Sequence, residues 1–135
     1  MKNKTRILIV DDNADVRADL RVLLDLAEKS EVIGEAATSQ EAILLSESLE
    51  PDIIVMDLEM SRTNFEEKIF GGNELAGIRT LIKIKQSQPE TLIFVLTVHD
   101  YDQALKASKE AGADAFLVKG RDTAKLLELI KKNEK

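Results

Sequence analysis

A chain of 135 residues, 44% hydrophobic and 33% charged, has the size and composition of one globular domain with a single sizeable core, not of a disordered segment. Its formal net charge of −6 argues against a nucleic-acid surface, and its two basic clusters, MKNKTR and KKNEK, are short and terminal. The absence of cysteine excludes disulfides, thiolate catalysis and zinc–sulfur sites, and no segment approaches the ~18 apolar residues of a membrane span. The basic N-terminus meets an apolar run that ends at Asp11, too short for a signal peptide, so a cytoplasmic location is expected.

In chain order, the first apolar run is ILIV at 7–10, which runs directly into Asp11 and Asp12. Residues 14–29 follow with Val16, Leu20, Leu23, Leu24 and Ala27 on one stripe, which predicts a helix. EVIGEAA (31–37) predicts a second strand, and Thr38 with Glu41 a capping box that opens a helix carrying Ala42, Leu45 and Leu49 until Pro51 stops it. DIIVMD (52–57) is the third strand. A helix over roughly 74–87 turns Ile78, Leu81 and Ile82 inward. TLIFVLT (91–97) is the fourth strand, and 101–111 a helix ending at Gly112. DAFLV (114–118) is the fifth strand, and a helix capped by Asp122 carries Leu126, Leu127, Leu129 and Ile130. Three of the strands lack polar alternation, as strands covered on both faces do. Strand and helix alternating five times predicts an α/β fold, a doubly wound five-stranded parallel sheet with helices on both faces.

Ligands of such sheets gather at the carboxyl ends of the strands, where strand order reverses. Asp11 and Asp12 end strand one, Asp57 ends strand three, Thr97 ends strand four and Lys119 follows strand five. Each alone has a plainer reading: a turn or cap for the aspartates, a strand-end hydroxyl for Thr97, a solvated charge for Lys119. Their convergence on one edge favours a site. Three neighbouring carboxylates need raised pKa values or a cation, and an oxygen-only donor set favours Mg²⁺. One carboxylate could then attack a phosphoryl group to give an acyl phosphate, with Lys119 and the metal offsetting charge and Thr97 donating to a phosphoryl oxygen.

The pieces ILIVDDN, DIIVMDLEM, VLTVHD and GADAFLVKG, in this order over nearly the whole chain, resemble the receiver domain of two-component response regulators. GEAATSQEAI and GADAFLVK are similar in particular to receivers that precede helix-turn-helix output domains. The resemblance implies a flavodoxin-like strand order 2-1-3-4-5 and a regulatory phosphoacceptor domain rather than an enzyme. It implies Asp57 as the phosphoacceptor, Asp12 as a direct Mg²⁺ ligand, Asp11 as one acting through water, and the backbone carbonyl of Glu59 as a further ligand. Thr97 and Lys119 match the phosphoryl-contacting pair, and Thr97 with Phe116 the switch that alters the face around helix four, strand five and helix five. The implied partners are a sensor histidine kinase, an unspecified output domain or protein, and a second copy of the chain as a possible homodimer, with no membrane and no direct nucleic-acid contact by this domain.

The chain also departs from the family pattern. Met60 is followed by Ser61 rather than proline, and Lys119 by Gly120. The loop-closing glycine is best matched by the distant Gly77, so a segment at about 61–76 reads as an insertion within a single domain over 1–135. Thr63 with Glu66, the stripe of Phe65, Ile69 and Phe70, and Gly71–Gly72 predict a short added helix, either a surface elaboration or a lid or docking element. Val98 stands where the family prefers a small residue, which narrows the path to the aspartate; His99 reads as rim surface. Two readings stay open beside the receiver: a phosphatase resembling the haloacid-dehalogenase superfamily, against which the order of the motifs argues, and an unphosphorylated interaction module.

Overall fold

Aliphatic runs without polar alternation are buried only when both faces of the sheet are covered. The computed structural model, which describes residues 3–59, 72–98 and 102–134, covers both. Among the described residues the strands are β1 (Thr5–Val10), β2 (Ser30–Ala36), β3 (Ile53–Met56), β4 (Leu92–Thr97) and β5 (Ala115–Val118). The helices are α1 (Ala14–Leu24), α2 (Ser39–Leu49), α3 (Gly72–Ser87), α4 (Asp102–Ala111) and α5 (Thr123–Lys132). All pairings are parallel and the order is β2-β1-β3-β4-β5, as expected for the flavodoxin-like sheet.

Strand periodicity divides the core in two. Ile7, Ile9, Ile53, Val55, Phe94, Leu96 and Leu117 face one way, onto Leu20 and Leu24 of α1 and Leu126 and Ile130 of α5. Leu8, Val10, Ile54, Met56, Ile93 and Val95 face the other way, onto Ala42 of α2, Leu81 and Ile84 of α3, and Ala104 of α4. No described helix is long and apolar enough to cross a membrane.

Three local predictions need correction. Ile82, expected to face inward on α3, is 39% exposed, and Ile84 is buried there in its place. α1 ends at Leu24, not at 29. The N–H groups of Leu26 and Ala27 donate to the carbonyls of Leu23 and Leu24, a tighter three-residue spacing that turns the chain into β2. Ala27 is still buried, so the apolar stripe outlasts the helix. Asp122 stands at the N-cap of α5, but its carboxylate makes no cap bond there. It accepts from the Val118 N–H at 2.8 Å and closes the turn between β5 and α5 instead. The capping box of α2 forms, with Glu41 N–H donating to Thr38 Oγ1 at 3.1 Å; the Glu41 carboxylate accepts from the N–H of Ala37. The added helix, with Thr63, Glu66 and the stripe of Phe65, Ile69 and Phe70, lies outside the described residues, as do Met60, Ser61 and His99; Gly72, expected to end it, is the first residue of α3.

Gly77 fixes α3 against the loop that follows β3. It is buried, and a Cβ there would stand 2.2 Å from the carbonyl oxygen of Leu58 and 2.6 Å from its Cα. Only a residue without a side chain permits this approach to backbone that cannot swing aside. Gly77→Ala is therefore expected to cost about 1–3 kcal/mol through overpacking. Denaturant unfolding measures this, and an unchanged midpoint would contradict it.

Candidate functional site

The end of each central strand delivers one group to the same edge. The N–H of Asp11 donates to Ala36 O at 3.0 Å and that of Asp57 to Val10 O at 2.9 Å, extending the ladder one residue past β1 and β3. Asp11 is thereby 1% exposed and Asp57 5% exposed. Beyond β5, the N–H of Lys119 donates to Thr97 O at 2.7 Å, which turns the lysine back across the edge. Its ammonium reaches Asp11 Oδ2 at 2.7 Å and Asp57 Oδ2 at 3.4 Å.

Asp12, half-buried, completes an acidic group in which Asp11, Asp12 and Asp57 each offer an oxygen within 4.8 Å of the others. The donors are all carboxylate oxygens, a set that fits a hard divalent cation such as Mg²⁺ and not a softer metal. Burial pushes the Asp57 carboxyl up to about 7, against the opposing pull of Lys119 and with the Asp11 charge adding to the rise. Burial alone would lower the Lys119 ammonium, but its bond to Asp11 and the charges of Asp57 and Asp11 outweigh it, and Lys119 sits above its ordinary value. The lysine thus stays charged and is the counter-ion of a partly desolvated acid pair.

Thr97 is linked to the site through Glu59. It is 1% exposed, and its hydroxyl donates to Glu59 Oε1 at 3.3 Å. The Glu59 N–H in turn donates to Asp57 Oδ1 at 3.0 Å. Glu59 therefore meets the site through its amide and its carboxylate, and links Thr97 to the phosphoacceptor candidate. Phe116 is half-buried on β5, paired with Val95 and packed on the core face shared with α4. Val98, just past Thr97, is exposed.

One cluster at this edge was not anticipated. Arg17 of α1 donates through Nη1 to the backbone carbonyl of Asp11 at 2.7 Å, and through Nε to Glu35 Oε1 at 2.9 Å. The other Glu35 oxygen accepts from Arg21, one turn further along α1. The sequence signal for it was slight: two arginines four apart, and an acidic residue in the edge strand β2, most of whose residues are only half-buried.

Comparison with known proteins identifies the family of this site. The model of the response regulator receiver domain matches residues 7–131. The chain is 34% identical over 130 residues to the nitrate/nitrite response regulator NarP of Escherichia coli (96% of this chain, 55% of that protein). It is 30% identical over 124 residues to NarL of the same organism (92% and 52%). The chain thus spans about half the length of the curated relatives it matches. Among solved structures, a LuxR-family two-component response regulator from Aurantimonas sp. SI85-9A1 superposes with a TM-score of 0.81 at 31% identity, covering 96% of this chain and 84% of that one. The family match runs from β1 into α5 and takes in the acidic edge whole, so the chain belongs to the receiver-domain family of two-component response regulators.

Proposed function

We propose that this domain receives a phosphoryl group on Asp57 from a sensor histidine kinase or a small phosphodonor, with Mg²⁺ bound, and that the modification alters the face around α4, β5 and α5. The observation that carries this reading is the buried pair Asp11–Asp57 bridged by one lysine: a nucleophilic carboxylate beside a charge placed to offset what arrives. Asp12 would ligate the metal directly, Asp11 through water, and Asp57 and the Glu59 carbonyl would complete the protein's share. When bound, Mg²⁺ would supply charge neutralisation to the transferring oxygens.

In the transfer, a carboxylate oxygen of Asp57 bonds to phosphorus as the bond from phosphorus to the donor's histidine nitrogen, or to acetate oxygen, breaks. The product is an acyl phosphate that brings about −1.5 to −2 charge to the edge. Lys119 stays charged through this step and faces the new anion. Thr97, whose hydroxyl reaches Glu59, gains a stronger acceptor in a phosphoryl oxygen. Its shift toward that oxygen would leave room for Phe116 to turn further inward, since the ring is not yet fully buried.

Residues 1–135 then act as one receiver domain bearing an insertion at about 61–76. The domain is the regulatory part alone, and any DNA contact is the work of another segment or protein, as its span of about half the relatives' length supports. The net charge of −6 supports that division.

Incubation with Mg²⁺ and acetyl phosphate, followed by intact mass, is expected to add one phosphoryl group to the parent and none to Asp57→Asn, and chelation should abolish the gain. Absence of any gain with several small donors would contradict the reading.

The raised pKa of Asp57 also has a stability consequence. Between its unfolded value of 3.8 and its folded value of about 7 the native state holds the extra proton, so stability falls as pH rises through that window. By pH 8 the metal-free protein loses on the order of a few kcal/mol relative to Asp57→Asn. Thermal melts from pH 5 to pH 8 should show the variant's advantage widening; a constant difference would contradict the assignment.

A further inference from the structure

The course of the backbone into Asp12 is set one peptide earlier. A peptide unit is planar, so whatever fixes the Asp11 carbonyl also fixes the Asp12 nitrogen and the direction in which Asp12 starts. Every polar atom of Asp11 is engaged. Its N–H donates to Ala36 O, Oδ1 accepts from the Asn13 N–H at 2.9 Å, and Oδ2 accepts from Lys119. The carbonyl is held from outside the loop, by Arg17 Nη1 at 2.7 Å.

Arg17 is itself held. Its Nε donates to Glu35 on β2, its side chain is 18% exposed, and Arg21 keeps Glu35 on the far side. The bond from Arg21, with those from Arg17, keeps the Glu35 carboxyl below the usual carboxylate range, so the anchor stays charged. α1 and β2 are thereby tied to the peptide between the two acidic residues that follow β1.

We infer that Arg17, oriented by Glu35, is a positioning residue that sets the Asp11–Asp12 peptide and hence the metal geometry of the acidic edge. It acts through the Asp11 backbone and not as a ligand or a phosphoryl contact. The inference rests on the metal-dependent reading of the site.

Charge and positioning predict opposite signs, which makes the role testable. Removing a cation beside three carboxylates strengthens the binding of a divalent metal if Arg17 acts by its field alone. If it positions the peptide, the same removal weakens binding. Mg²⁺ affinity of the full chain, measured by calorimetry, is expected to fall about 10-fold in Arg17→Met, the scale of lost outer partners of metal ligands. Arg17→Lys keeps the charge but has one nitrogen in place of a fork, and Glu35→Gln keeps Arg17; both are expected to weaken binding in the same direction. In the metal-free state, the Asp12 and Asn13 amides should exchange faster in all three variants by more than the change in the thermal midpoint accounts for, a readout independent of the metal. Equal or tighter Mg²⁺ binding by Arg17→Met, or unchanged amide exchange, overturns the inference. A parent that binds no Mg²⁺ overturns the metal reading itself, and the exchange arm then still reports whether Arg17 holds the peptide.

Discussion

Two buried carboxylates at the end of a parallel sheet repel one another, and desolvation raises the cost of keeping either charged. In this domain Asp11 and Asp57 are brought to that condition by the ladder bonds that extend β1 and β3, and Lys119 answers them from β5. The lysine reaches them because its own N–H is tied to Thr97 at the end of β4. The charge balance of the site therefore depends on four of the five strands ending in register. Any change in the sheet that moved one strand end would leave a buried charge without its partner, which costs several kcal/mol in typical proteins. On the proposed reading, this coupling would let a single covalent event at Asp57 be felt at the far strand, because added negative charge would redraw the partners of Lys119 and Thr97 together.

Outside the site, the structure protects this geometry by close packing. Gly77 lets α3 press on the Leu58 backbone, one residue from Asp57, although the chain between β3 and α3 is long. On the opposite flank, the Arg17–Glu35 pair holds the peptide of the acidic pair. The phosphoacceptor candidate and the metal candidates are each braced by something that carries no chemistry of its own.

How much of this the sequence discloses follows from what leaves a mark in it. The aliphatic runs mark strands because burial on both faces admits no polar residue, and the strand ends then locate Asp11, Asp57, Thr97 and Lys119 without further information. Periodicity reports burial rather than backbone angles. The stripe through Ala27 therefore suggested a helix to 29, whereas the chain leaves the helix at Leu24 and still buries that alanine. Asp122 looked like a cap because aspartate before an apolar stripe usually is; the competing acceptor role at Val118 N–H is local but invisible to pattern. The contact of Thr97 with Glu59 and that of Arg17 with a backbone carbonyl have no sequence signature, because each joins elements that only the fold brings together.

The central claim is that the acidic edge is built to take a metal and a phosphoryl group together, with Lys119 and Thr97 answering the new charge. Fluorine NMR of the protein with beryllofluoride, with and without Mg²⁺, tests it most directly. The account predicts a bound fluorine signal that requires both Mg²⁺ and Asp57, accompanied by amide shifts at Thr97, Phe116 and Lys119. A bound signal that survives chelation of the metal or Asp57→Asn, or no bound signal under any condition, would contradict it.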